Sequence, residues 1–165
     1  MKKLVYLTGE IMSQTLSSHM EDYLEAIAAC ADQSAIARVT DIRDLLGVKT
    51  PSVTGALRVL VSGGYVKHEA YGGVKLTPKG RRAAADVQQR HVMLSHFLID
   101  VLGVDAKTAN MDACKMEHTM SRKTLDKLHR FLHEYTHQQM AKGDDSHHSL
   151  HQFLHQCISK PTKKK

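Results

Sequence analysis

The stretch "TDIRDLLGVKTPSVTGALRVLVSGG", residues 40–64, decides the fold of this chain. Its first half has the apolar spacing of a short helix. The residues expected to face inward are Ile42, Leu45 and Leu46. Gly47 suits the end of that helix, Pro51 suits the first turn of a second one, and Gly63–Gly64 should end it. A short helix, a tight turn and a second helix predict a helix-turn-helix.

The residues after this motif change to the two-residue period that is typical of β-strands. Tyr65 and Val66 begin one strand, Gly72 and Gly73 can form a turn, and residues 74–76 form the returning strand. A hairpin directly after a helix-turn-helix is a wing, so the two motifs together predict a winged helix.

Helical patterns flank the winged helix on both sides. The first predicted helix covers residues 20–31, "MEDYLEAIAACA", where Ser17 and Ser18 are suitable N-caps and Glu21 follows closely. Thr77 can cap the next helix, which begins after the wing. The fold class expected is therefore mainly α with an N-terminal winged helix-turn-helix.

The C-terminal half is predicted to be helical throughout. A linking helix runs to about Leu102, a second helix covers residues 105–120, and Ser121 caps a third, with one short helix after a linker at 141–148. The apolar stripe of the third helix comprises Leu125, Leu128, Phe131, Leu132 and Tyr135.

Composition restricts the class of protein. The 165 residues suffice for one compact domain or two small units, and the net charge of +6 favours a polyanionic partner, although part of it lies in the terminal "KPTKKK". Three cysteines without disulfide-like spacing indicate a reducing compartment. No apolar run of membrane-spanning length is present, so we expect a cytoplasmic location and no membrane association.

The second helix of the motif and the wing carry polar residues suited to double-stranded DNA. Hydroxyl groups and backbone N–H groups at a helix N-terminus can approach bases and phosphates. The candidate DNA-binding residues are Lys49, Thr50, Pro51, Ser52, Thr54, Arg58, Lys67 and Lys75. An ordinary polar surface on a protein-binding helical domain is the alternative for these positions.

A second group of residues has the character of metal ligands. In "DACKMEHTMS", residues 112–121, a thiol, a carboxylate and an imidazole fall at helical spacings i, i+3 and i+4. The full candidate set comprises Asp22, Glu25, His91, Cys114, Glu117 and His118. Such a mixed set fits Fe²⁺, Mn²⁺, Co²⁺ or Zn²⁺. Helix-dipole carboxylates, a core histidine and a small buried thiol explain the same residues one by one, so spacing alone leaves both interpretations open.

The order of these motifs resembles the iron- and manganese-dependent repressors of the diphtheria toxin repressor and manganese transport regulator family. The resemblance covers roughly residues 20–136 and includes "EDYLEAI", "YGGVKLTPKG" and "QRHVMLSHFL". It implies a winged helix followed by a helical metal-binding and dimerisation domain. We therefore expect these domains over 1–77 and 78–143, followed by a His/Lys-rich helix and tail over 144–165. The resemblance also implies a homodimer that binds operator DNA when loaded with manganese or iron and silences metal-uptake genes.

When the family's metal ligands are carried over by position, the resemblance implies that this chain combines ligands of the manganese-type and the iron-type branches. Asp22 and Glu25 match the manganese-type ligands, whereas Cys114 matches the iron-type cysteine. His91 and the pair Glu117–His118 match both branches, and Co²⁺, Ni²⁺ or Zn²⁺ would substitute in vitro. Ser95 and Asn110 replace a glutamate and a histidine of the second iron-type site, so a full second site is not expected, nor is an SH3-like third domain.

Other interpretations remain for the same sequence. A metal-independent winged-helix regulator would sense an oxidant or a small ligand through Cys114, and a zinc hydrolase would use Glu117 as a base, although no H-E-x-x-H motif is present. We do not expect an enzyme. His129, His133 and His137 recur on one helix face, which we interpret as a polar surface in preference to a further metal site.

Overall fold

The computed structural model describes residues 16–34, 36–69, 73–142, 150 and 152–154. The elements are α1 (Ser18–Ser34), α2 (Val39–Leu46), α3 (Thr50–Ser62), β1 (Val66–Glu69), β2 (Gly73–Leu76), α4 (Pro78–His96), a π-helical turn (Phe97–Val101), α5 (Ala106–Thr119) and α6 (Arg122–Ala141). The predicted mainly α fold with an N-terminal winged helix-turn-helix is confirmed. The turn position Gly72, the linker from residue 143 and most of the last helix lie outside the described residues.

The helix-turn-helix forms where the sequence predicted it. Gly47 ends α2 in the left-handed conformation, with φ of 63°, which glycine adopts without a Cβ clash. Pro51 lies in the first turn of α3, where no intrahelical N–H bond is lost. The prediction that Leu45 faces inward was wrong, because its side chain is 55% exposed whereas that of Ile42 is fully buried. In a helix of eight residues, Ile42 and Leu46 already occupy the narrow face that packs inward.

The wing is an antiparallel hairpin in which Val66 pairs with Leu76 and Glu69 pairs with Gly73. Thr77 caps α4 as predicted, since its side chain accepts a hydrogen bond from the Gly80 backbone N–H. A Cβ at Gly80 would lie 2.0 Å from the Tyr65 carbonyl oxygen, so only glycine allows α4 to start this close to the wing. The hairpin is therefore fixed to the first turn of α4.

Two apolar cores lie along the chain. The first joins α1, α2, α3, the wing and Ala84 of α4, and the second joins the later part of α4, the π-helical turn, α5, α6 and the pair Leu150 and Leu154. Each fully buried leucine contributes roughly 1.5–3 kcal/mol relative to an exposed one. Because α4 contributes to both cores, it fixes the winged helix against the second unit.

Two details of the C-terminal half differ from the predicted pattern. The linking helix is not regular to Leu102: it changes to a π-helical turn at Phe97, where His96 Nδ1 lies 2.7 Å from Asp100 Oδ2. On α6, Leu125 and Leu132 are buried, but Phe131 is 49% exposed because the stripe is wider than the surface that packs against it. No helix among the described residues is long and apolar enough to cross a membrane.

Candidate metal centre and nucleic-acid interface

A cluster of charged side chains lies where α1 meets α4 and α5. Asp22 and Glu25 are three residues apart on α1, and each places a carboxylate oxygen near a ring nitrogen of His118 on α5. One ligand atom from each residue lies within 4.8 Å of the other two. The three residues therefore leave room for one ion between helices of the two units.

Glu117 and His91 extend the cluster towards α4. The Glu117 side chain is only 1% exposed, with Oε2 placed 2.8 Å from His91 Nδ1 and Oε1 placed 3.3 Å from His118 Nε2. Burying an ionised carboxylate this deeply costs free energy of folding unless a nearby positive charge compensates for it. The structure thus brings five of the six predicted ligands into one connected group.

The ring nitrogen of His118 tests whether this group suits a metal ion. Its Nε2 atom is buried and has no hydrogen-bond partner, although it lies 2.8 Å from Asp22 Oδ1. The two atoms are close but not aligned for a hydrogen bond, so their proximity is not a satisfied contact. A buried imidazole nitrogen that faces carboxylates without a hydrogen bond leaves a place for a cation between them, so these residues fit such an ion.

The pKa values of the carboxylates in the cluster also favour a bound cation. Burial, followed by the nearby Glu117 carboxylate, raises the pKa of Glu25 to about 7. Burial also raises the pKa of Glu117, and His91 partly offsets this increase. Without a cation, the carboxylates therefore resist full ionisation, whereas a divalent ion would favour their charged forms.

Cys114 lies at the edge of the cluster, one helical turn before Glu117 and His118, and it is exposed. Burial of its sulfur and the nearby Glu117 carboxylate raise the pKa of the thiol. A raised pKa disfavours the thiolate, which is the form of cysteine that reacts with oxidants, so this environment does not favour the oxidant-sensing alternative. A cation in the cluster would reverse this bias and favour the thiolate as a ligand.

Two residues of this region were missed in the sequence. The carboxylate of Glu21 lies 2.8 Å from Arg90 Nη2 and 2.8 Å from His118 Nδ1, so it does not act in the cap that we predicted. Arg90 also donates to the Glu117 carbonyl oxygen over 2.9 Å. The sequence feature that could have indicated Glu21 is its spacing: Glu21 and Glu25 are four residues apart and share one face of α1.

The positions that depart from the iron-type pattern form a neutral pair. Ser95 on α4 donates a hydrogen bond of 3.3 Å to the side-chain oxygen of Asn110 on α5. On α6, the rings of His133 and His137 lie 6.2 Å apart, and burial lowers the pKa of His129. Among the described residues, the ligand atoms that converge closely enough to hold an ion belong to Asp22, Glu25 and His118 of the main cluster.

The predicted DNA-binding residues lie on α3 and the wing. Lys49 precedes the first turn of α3, and the exposed side chains comprise Lys49, Thr50, Pro51, Ser52, Arg58, Lys67 and Lys75. Thr54 is half-buried and donates its hydroxyl hydrogen to the Thr50 carbonyl oxygen, which leaves its methyl group for apolar contact. Lys67 and Lys75 are directly paired across the wing. Like charges in this position repel each other, and an anion relieves that repulsion.

Comparison with known proteins identifies the two units. A family model described as "Iron dependent repressor, N-terminal DNA binding domain" matches residues 15–74. A second model, described as "Iron dependent repressor, metal binding and dimerisation domain", matches residues 77–144. The winged helix and the helical unit thus correspond to a DNA-binding domain and to a metal-binding, dimerising domain.

Individual relatives agree with these models. An uncharacterized HTH-type transcriptional regulator of Methanocaldococcus jannaschii is 36% identical over 121 residues, which cover 73% of this chain and 97% of the relative. The transcriptional regulator MntR of Salmonella typhimurium is 36% identical over 116 residues, which cover 70% of this chain and 73% of the relative.

Among solved structures, the manganese regulator SloR matches with a TM-score of 0.60 at 26% identity. The match covers 68% of this chain and 53% of SloR, so the chain spans about half of that structure. The proteins in this family are transcriptional regulators, which are not enzymes. The resemblance seen in the sequence is confirmed, and the chain belongs to the iron-dependent repressor and MntR family of metal-dependent transcriptional regulators.

Proposed function

We propose that this chain is a repressor whose corepressor is Mn²⁺ or Fe²⁺ and whose targets are genes of metal-ion uptake and homeostasis. The proposed ligands are Asp22, Glu25, His91, Cys114, Glu117 and His118. The observation that carries the proposal is the buried Nε2 atom of His118, which faces carboxylates without a hydrogen bond. Co²⁺, Ni²⁺ or Zn²⁺ would substitute in vitro, because imidazole and thiolate ligands also suit these ions.

The ligands would couple the metal to the arrangement of the two units. Asp22 and Glu25 lie on α1, which packs into the first core, whereas Glu117 and His118 lie on α5, which packs into the second. A bound divalent ion would supply the positive charge that offsets the carboxylates. With that charge present, the two helices hold one orientation, and metal shifts the equilibrium by its differential affinity for that orientation.

We further propose a homodimer that binds double-stranded operator DNA. Its units would be residues 1–77 for DNA binding and 78–143 for metal binding and dimerisation, with 144–165 as a His/Lys-rich C-terminal segment. The proposed DNA contacts are Lys49, Thr50, Pro51, Ser52, Thr54, Arg58, Lys67 and Lys75. A dimer of winged helices must match the spacing of two half-sites, so the orientation held at the metal centre would decide whether both α3 helices fit.

The decisive experiment is an anaerobic titration of the metal-stripped protein with Mn²⁺ and then Fe²⁺. Binding to a fluorescent duplex that carries the chain's own promoter is followed by anisotropy. We expect one of the ions to tighten DNA binding at least tenfold, equivalent to about 1.4 kcal/mol of coupling. The more effective ion identifies the corepressor. Equal DNA binding with chelator and with every ion would overturn the proposal.

The DNA interface needs a separate test. Arg58→Ala removes an exposed cation from α3, whereas Lys127→Ala removes an exposed cation from α6, away from the wing. With saturating metal, we expect Arg58→Ala to weaken operator binding and to reduce its salt dependence, while Lys127→Ala leaves both unchanged. Equal effects of the two changes would place the interface elsewhere.

A further inference from the structure

The contacts of Glu21 lie directly behind the metal centre. Both of its carboxylate oxygens face donors: Oε1 accepts from Arg90 Nη2, and Oε2 lies 2.8 Å from His118 Nδ1. The side chains of Glu21 and Arg90 are each 17% exposed, and that of His118 is 8% exposed. These contacts are largely shielded from water, where charged hydrogen bonds are stronger than at the surface.

The Glu21 contact determines which nitrogen of His118 carries the proton. An ionised carboxylate only accepts hydrogen bonds, so the contact with Glu21 favours the tautomer of His118 that carries its proton on Nδ1. The lone pair is then on Nε2, the atom that lies 2.8 Å from Asp22 Oδ1 without a hydrogen bond. A metal ligand requires that lone pair, and a carboxylate behind a ligating histidine is known to fix ring orientation in metal sites.

Arg90 connects this contact to the backbone of α5. Its Nη2 atom binds Glu21 on α1, and its Nη1 atom donates to the Glu117 carbonyl oxygen over 2.9 Å. Arg90 itself lies on α4, next to His91. Three helices are thus joined behind the cluster by side chains outside the proposed ligand set.

We propose that Glu21 is a positioning residue of the metal centre, which holds His118 with Nε2 directed at Asp22 and Glu25. The proposal rests on the proposed function and deepens it, since Glu21 acts on the ion only through His118. Arg90 occupies the second oxygen of Glu21 and keeps the carboxylate in place. The orientation of the imidazole is therefore set by side chains outside the proposed ligand set.

Glu21→Gln is the informative substitution because it keeps the size of the side chain. A glutamine has one accepting oxygen and one donating nitrogen, whereas Arg90 and His118 both require an acceptor. With the amide oxygen on Arg90, the amide nitrogen faces Nδ1 of His118. Nδ1 is then favoured as an acceptor, and the ring proton moves to Nε2, where it competes with the metal ion.

The first measurement determines which ring nitrogen of His118 carries the proton. Long-range ¹H–¹⁵N NMR at pH 8 on the metal-free full chain distinguishes a protonated from an unprotonated ring nitrogen, with His118→Gln used to assign the signal. We expect the wild type to carry the proton on Nδ1 and Glu21→Gln to carry it largely on Nε2. An unchanged tautomer in Glu21→Gln would overturn the proposal.

The second measurement is Mn²⁺ affinity by calorimetry, with thermal unfolding as a check of the fold. We expect Glu21→Gln to lower the affinity 10- to 100-fold, the usual cost of losing such a partner. Asp86→Asn is the matched control, because Asp86 is an exposed acid that lies 3.7 Å from Arg122. It should leave both the tautomer and the affinity unchanged.

The two proposals fail in different ways. If the wild type binds Mn²⁺ and Glu21→Gln binds it within twofold, Glu21 is only a structural ion pair and this proposal alone is overturned. If the wild type binds neither Mn²⁺ nor Fe²⁺, the proposed function fails and removes the basis of this one.

Discussion

The interface between α4 and α5 carries polar side chains at two levels, and the two levels differ in charge. At one level, His91 faces the buried carboxylate of Glu117 over 2.8 Å, with His118 and the acids of α1 close by. One turn further along α4, Ser95 donates a hydrogen bond to Asn110 over 3.3 Å. The first level has charges and an unpartnered nitrogen, and the second is neutral and paired.

This difference indicates which level is suited to an ion. The neutral pair satisfies its own hydrogen-bonding groups, so nothing there favours a cation. The charged level has a carboxylate that is 1% exposed and whose pKa burial raises, together with a buried ring nitrogen that has no hydrogen bond. Because α1 contributes acids at the charged level, a metal ion bound there would act on the orientation of the winged helix, as we propose above.

The largest effect is expected from Glu117→Gln, which makes the charged level more like the neutral one. We expect Mn²⁺ affinity to fall by roughly 100-fold or more, since loss of an indirect partner already costs about 10- to 100-fold. The metal-free variant should keep or exceed the wild-type melting temperature, because its buried side chain no longer resists ionisation.

Thermal unfolding with and without Mn²⁺ measures both effects. Glu134→Gln, on the exposed part of α6, is the control and should retain the full metal-induced increase in melting temperature. A normal Mn²⁺ response in Glu117→Gln would remove the distinction between the two levels.

The second prediction concerns pH and Glu25. Its pKa, normally near 4.5, is raised to about 7, so the folded metal-free chain binds this proton more tightly than the unfolded chain. The contribution of Glu25 to stability therefore decreases as pH increases from about 4.5 to 7. Metal binding needs the ionised form, so we expect Mn²⁺ affinity to rise about tenfold between pH 6 and pH 8.

Calorimetry in buffers of different ionisation enthalpy checks this prediction, because it counts the protons that are released when the ion binds. Glu25→Gln should bind Mn²⁺ weakly and lose most of the dependence on pH. A flat profile in the wild type would contradict the assignment of Glu25 to the charged level.

The fold was predictable from local patterns in the sequence. Gly47, Pro51 and Thr77 act at helix ends through backbone preferences that depend only on neighbouring residues. The prediction that Leu45 faces inward was wrong, and Phe131 of the apolar stripe is half exposed, because helical periodicity gives the direction of a side chain but not the width of the surface that covers it.

The candidate site was only partly predictable for a related reason. Glu117 and His118 were found by their spacing on one helix, and Asp22 with Glu25 on another. Glu21 was missed because its partners Arg90 and His118 are 69 and 97 residues away in sequence, and no local pattern reports such contacts. The sequence indicates the candidate ligands on each helix, and only the packing of the helices shows which side chains hold them in place.

The third prediction concerns the thiol at the edge of the charged level. Cys114→Ser replaces a soft ligand with a hard one, and Zn²⁺ depends on thiolate more than Mn²⁺ does. We expect Zn²⁺ affinity to fall about tenfold more than Mn²⁺ affinity. Competition titrations of the two ions measure this ratio, and Lys115→Ala, the exposed neighbour on α5, should leave it unchanged. An unchanged ratio in Cys114→Ser would exclude the sulfur from the ligand set.

The smallest effect is expected at the neutral level. Ser95→Ala removes one hydrogen bond of 3.3 Å to Asn110, which is itself exposed and can bind water in its place. The free energy of unfolding should change by about 1 kcal/mol or less. Mn²⁺ affinity and the number of ions bound per chain should stay within twofold of the wild type, measured by calorimetry and by elemental analysis. A loss of affinity comparable to that of Glu117→Gln would mean that Ser95, although neutral and four residues from His91, belongs to the metal centre.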